Sequence, residues 1–146
     1  MYEIILNLHS FLAYIVLAVL GIALINAILG FTGKKDFTLE KDFRISLFAL
    51  ILSHIQLLVG LVLYFVSPKG FSAIQEFGMG GMTSALRLLA VEHPFINIIA
   101  LVFITIGWSK HKNIMEARRK FKIIAIFYGI GLLLILSRLP WSQWFN

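Results

Sequence analysis

Apolar and polar positions alternate along this chain on the scale of a bilayer. Four largely uncharged apolar runs cover residues 4–31, 45–67, 88–109 and 121–137. Crossing a hydrocarbon core as a helix takes roughly 20 mostly apolar residues. Each run is therefore expected to be one membrane-spanning α-helix. The connections are too short for a second domain, so residues 1–146 are read as a single transmembrane domain. An even number of spans with short links predicts an all-α, up-down-up-down four-helix bundle.

Composition supports the bilayer as solvent. The chain is 60% hydrophobic and 14% charged, with a mean hydropathy of +0.91. No water-soluble core of this size hides so much apolar surface. The net charge of +6 is explained by position. Lys34, Lys35, Lys41 and Arg44 fall between spans one and two. Lys110, Lys112, Arg118, Arg119, Lys120 and Lys122 fall between spans three and four. Only Lys69, Arg87 and Arg138 remain for the other side. This bias predicts both basic loops in the cytoplasm and both termini outside. The expected location is a bacterial inner membrane, crossed several times. The bases then orient the chain and meet anionic lipid headgroups; nucleic acid is not an expected partner. Glu3 is the sole charged side chain ahead of the first span, which lacks a basic leader region and is too long for a signal-peptide core. The absence of cysteine excludes thiolate metal sites and covalently attached haem.

The connection 32–42 reads as a short polar turn. The longest connection, 68–87, carries a glycine-rich run at 78–81 and a segment, 71–77, suited to a short interfacial helix. It is no phosphate loop, since no Lys-Ser/Thr follows the glycines. Residues 110–120 are compatible with helix throughout, which predicts a short hairpin extending spans three and four. Pro94 is expected in the first turn of its span, where a missing N–H costs little. Pro140 is expected to end the fourth helix, and Trp141 and Trp144 to sit at the outer interface.

Three histidines interrupt the apolar runs: His9, His54 and His93. An ionisable group at such depth is a functional-site hypothesis by default. With spans one and three entering from outside, His9 and His93 both lie roughly 8 Å in. His54 lies roughly 20 Å below the outer edge. A haem standing on edge between helices needs two axial histidines at one level, and His9 with His93 meets that condition. His54 pairs poorly with either. It is read first as an imidazole bonded to a carbonyl, and only second as a ligand. The His9 face carries Ala13, Val16, Ala23 and Ala27, and the His93 face carries Asn97, Ala100 and Gly107. Small residues leave space for a flat cofactor and equally permit close helix packing.

Arg87, Arg138 and Lys69 lie at the outer edge, where they could offset haem propionates or anchor helix ends. Glu92 could carry protons at that level, or pair with Arg138 or Lys69. On helix two, Ser46, Ala49, Ser53, Gln56, Gly60 and Ser67 form a small or polar stripe about 100° from His54, the expected packing seam. Gln56 has the chemistry to bind a quinone carbonyl, though bonding between helices is its commoner use. His111 sits in a basic loop and reads as a solvated surface residue.

The segments Leu8-His9-Ser10, His54 to Gly60, Glu92-His93 and Arg138-Leu139-Pro140-Trp141 resemble a family of small bacterial four-helix membrane proteins known as "cytochrome B". The resemblance covers nearly the full chain. More distantly, the layout resembles compact four-helix b-type cytochromes, which carry two haems or fewer and exchange electrons with quinones. That resemblance implies a non-covalent haem b, with a quinone as further ligand. A two-haem version needs four intramembrane histidines, and this chain has three, so one bis-histidine haem is the most that it supports.

Three function classes follow. The first is a b-type haem protein with His9 and His93 on the iron and Arg87 and Arg138 near the propionates. It would relay electrons between a quinol pool and an outer-side partner. The second is a non-enzymatic accessory or scaffold subunit of a larger membrane complex or homo-oligomer. There Gly107 and the notch at Gly129 and Gly131 serve packing, and the histidines bond between helices. The third, a transporter or channel, is disfavoured because no span breaks near the midplane and no acidic residue lies at the membrane centre. Hydrolysis is disfavoured because no Ser/His/Asp or metalloprotease constellation occurs.

Overall fold

The computed structural model describes residues 1–144. Its main helices are α1 (Tyr2–Thr32), α2 (Arg44–Val66), α5 (His93–Lys112) and α6 (Ala117–Ser137). Three short helices complete the count among the described residues: α3 (Phe71–Phe77), α4 (Ser84–Arg87) and α7 (Trp141–Trp144). No strand is present among them. Four helical stretches are long and apolar enough to cross a membrane, as the architecture of a multi-pass membrane protein requires. α1 packs on α2 and α6, and α5 packs on α6. α2 also meets α5, but most sparsely of these pairs.

Small and aromatic residues point inward. Val16, Leu20, Ala23 and Ala27 of α1 meet Ala49 of α2, Ala100 and Ile104 of α5, and Phe121, Ile124 and Tyr128 of α6 in one buried cluster. Large apolar side chains such as Phe11, Ile25, Phe48, Leu58, Phe65, Val102 and Leu133 are exposed. A surface so apolar along every long helix is stable only where the solvent is itself apolar. The α5–α6 contact depends on glycine. A Cβ on Gly107 would lie 2.4 Å from Phe127 Cβ, and one on Gly131 would lie 2.6 Å from Ile104 Cγ1. Gly129 has only ordinary contact with Leu24, so half of the expected notch takes part.

The predicted seam of α2 is buried at Ser46, Ala49, Ser53 and Ser67. Ser46 and Ser53 return their hydroxyls to the carbonyls of Asp42 and Ala49. Tyr128 of α6 reaches across to donate to the Ser46 carbonyl at 2.8 Å. The interfacial helix expected over 71–77 is present.

Two local expectations are corrected. The connection 32–42 is more than a polar turn. A π turn, Leu39–Phe43, leads directly into α2, and Asp42 is buried with 4% exposure. Its carboxylate accepts from Asn26 Nδ2 at 2.8 Å and from the Thr38 N–H at 2.8 Å, and those bonds offset the cost of burial. The connection 110–120 is not helical throughout. Helix stops at Lys112 and resumes at Ala117.

Pro94 lies in the first turn of α5, as expected, but that turn continues an earlier helix. Helix begins at Ser84 and passes through a π turn, Leu88–Glu92, just ahead of the proline. Proline has no N–H for the carbonyl four residues back, which is that of Ala90. Tyr64 of α2 donates its hydroxyl to the Ala90 carbonyl at 3.0 Å. The neighbouring helix thus satisfies the group that proline deprives, as a membrane interior demands.

Candidate functional site: a two-histidine cavity

Helix periodicity brings His9 of α1 and His93 of α5 face to face. Their ring centroids are 6.2 Å apart and the planes are 88° to one another. Both rings line a cavity of about 270 Å³, together with Ser10, Ala13, Ser53, Gln56, Gly60, Tyr64 and Asn97. On α1 the lining runs from Tyr2 to Leu17, about 22 Å of helix at 1.5 Å per residue. The lining is mostly apolar with a few converging polar groups, the usual character of a small-molecule site.

The two histidines are held differently. His93 Nδ1 lies 2.8 Å from the Arg138 carbonyl. A carbonyl only accepts, so Nδ1 carries the hydrogen and Nε2 keeps its lone pair. Asn97, one turn along α5, donates to the His93 carbonyl at 2.6 Å and fixes that turn. His9 rests against Gly60 of α2. A Cβ on Gly60 would lie 3.0 Å from His9 Cε1, so a larger residue would displace the ring. Gln56, one turn earlier, donates Nε2 to the His9 carbonyl at 2.8 Å. His9 Nδ1 and Gln56 Oε1 are buried without a hydrogen-bond partner.

Of the three cations expected at the site, Lys69 lines the cavity, while Arg87 and Arg138 do not. Both guanidiniums turn to Glu92, at 3.4 Å from Arg87 and 3.3 Å from Arg138. All three side chains are at least a third exposed, so these pairs are worth little energetically. The expected Glu92–Arg138 pair is found, and Arg87 joins it. Arg138 serves the site mainly through its backbone carbonyl, a role invisible in sequence.

His54 lies apart from the pair. Its Nδ1 meets the Leu50 carbonyl at 2.8 Å, as the carbonyl-bonded reading expects. The ring is nevertheless exposed, with Nε2 3.4 Å from Thr105 Oγ1 in a shallow groove between α2 and α5. His111 corrects the sequence reading outright. It is fully buried, packed among the rings of Phe37, Phe43 and Trp108. Its Nδ1 bonds the Trp108 carbonyl at 2.5 Å.

Sequence reasoning missed Tyr64 and the Asn97–His93 bond as parts of this region. The i, i+4 spacing of His93 and Asn97 was the available signal for the second. Among the described residues no group of three or more His, Asp or Glu side chains converges as a metal site. Comparison with protein-family models, with curated proteins and with solved structures finds no match for this chain.

Proposed function

We propose that the chain is an up-down-up-down four-helix bundle of a bacterial inner membrane that holds one b-type haem between His9 and His93. Both termini lie outside and the basic loops face the cytoplasm. The protein relays electrons between a quinol pool and an outer-side partner. The observation that carries this reading is the meeting of two imidazoles from different helices across one cavity.

The donor set suits the group. His9 and His93, from different helices and with ring centroids 6.2 Å apart beside one cavity, are the residues that would hold its iron. A bare ion would find only two protein ligands here, whereas a haem brings four nitrogens of its own and would need only these two from the chain. Haem supplies reversible one-electron transfer at its iron. The chain supplies orientation: the Arg138 carbonyl fixes His93 in the tautomer whose Nε2 can ligate. Lys69 on the cavity wall would offer positive charge to propionates, whereas the Arg87 and Arg138 guanidiniums are engaged by Glu92.

Protein purified from cells supplied with haem is expected to show a Soret band. His9→Ala and His93→Ala each remove or shift it, and His54→Ala leaves it unchanged. Loss of the band in His54→Ala with retention in the other two would refute the ligand assignment.

One observation favours a second, compatible reading as an accessory subunit. His54 faces out of the bundle, whereas intramembrane ionisable residues almost always face an interior or a partner. Stoichiometric co-purification of another membrane protein in mild detergent, lost in His54→Leu, is the expected sign.

A further inference from the structure

The cavity contains two buried polar atoms that satisfy no one, His9 Nδ1 and Gln56 Oε1. They belong to neighbours. Gln56 already reaches His9, donating Nε2 to its carbonyl at 2.8 Å. The His9 ring lies over Gly60, one turn along the same helix. Their chemistry is complementary. An amide oxygen only accepts, and imidazole Nδ1 can carry the ring hydrogen. A buried polar group left unmet carries its full desolvation cost. One hydrogen bond between these two atoms removes both costs.

We propose that Gln56 is the positioning residue for His9. Its amide closes as a fork, with Nε2 on the His9 carbonyl and Oε1 accepting from His9 Nδ1–H. The bond leaves His9 Nε2 with its lone pair free, as the nitrogen that would ligate a metal. Across the cavity His93 has the matching arrangement, with Nδ1–H on the Arg138 carbonyl and Nε2 bare. Interhelical bonding by Gln56 accounts for its Nε2 alone and leaves Oε1 unexplained; the fork accounts for both ends of the amide. The consequence for cofactor affinity rests on the haem reading above, whereas the tautomer of His9 does not.

Nitrogen NMR of the ¹⁵N-histidine-labelled, haem-free protein in detergent reads that tautomer, with His9 signals identified by their loss in His9→Ala. His9 is expected as Nδ1–H in the wild type. Gln56→Leu shifts it to Nε2–H or a mixture. Gln56→Glu, which keeps an acceptor, restores Nδ1–H. In haem titrations Gln56→Leu is expected to weaken binding about 10–100-fold, with Gln56→Glu close to wild type. A wild-type His9 in the Nε2–H form, or a tautomer indifferent to Gln56→Leu, overturns the proposal. If Gln56→Leu does not fold, the wild type and Gln56→Glu decide it. A tautomer switch in a protein that takes up no haem sinks the haem reading and leaves the Gln56–His9 bond standing.

Discussion

His9 and His111 each carry a buried ring nitrogen without a partner, yet they sit in opposite surroundings. His9 borders a cavity and faces a second histidine. His111 is enclosed by Phe37, Phe43 and Trp108, and neither cavity described above reaches it. The difference is space. An unmet nitrogen in a packed aromatic shell is a cost carried by the fold. An unmet nitrogen beside a cavity is within reach of a ligand or a rotated neighbour. The rest of the molecule follows the same division. Around His111 the polar groups are locked: Lys120 donates to the His111 carbonyl, Asp42 holds Asn26 and Thr38, and Tyr128 caps Ser46. Beside His9 a cavity opens instead.

The sharpest way to break this contrast is to fill the open region. Gly60→Leu pushes a side chain into the space of the His9 ring. It is expected to cut haem affinity about 100-fold or more, the upper range for disturbing a ligand's support, while circular dichroism shows the helices intact. Unchanged affinity would mean that His9 does not ligate.

The next largest effect belongs to the packed region. Gly131→Leu drives carbon into Ile104 and the Ala100 carbonyl, and overpacking of this kind costs about 1–3 kcal/mol. Thermal unfolding in detergent should register the loss. Asp42→Ala comes third. It strands Asn26 and the Thr38 N–H, and breaking such bonds costs about 1–2 kcal/mol. Its haem spectrum should match the wild type, because the damage lies at the other end of α2 from Gly60. A spectral change in Asp42→Ala would show that the two regions are coupled.

His54→Ala is the smallest. Its ring is exposed, with one firm bond to its own helix, so stability should move by less than about 0.5 kcal/mol. A loss of several times that size would place His54 in a partner interface or in the core instead.

Much of this division was legible in the chain. Counting residues from the starts of spans one and three put His9 and His93 at one level, and their rings do meet. The stripe from Ser46 to Ser67 was visible as small residues at helical spacing. His111 was not legible. Its neighbours Lys110 and Lys112 mark a loop, but α5 runs through them, and Phe37 and Phe43 cover the ring from 68 or more residues earlier in sequence. Local periodicity does not report such contacts. Asp42 was hidden for the same reason, since its partner Asn26 lies on another helix. The repair of Pro94 by Tyr64 and the use of the Arg138 carbonyl were also out of reach. Both depend on backbone atoms, which every residue carries alike.

The central claim is that His9 and His93 hold one haem between them. A dithionite-reduced minus oxidised absorption spectrum of protein purified from haem-supplied cells tests it most directly. A sharpened α-band, with haem titrating to one equivalent per chain, is the predicted result. A folded, colourless protein with no difference spectrum would contradict it.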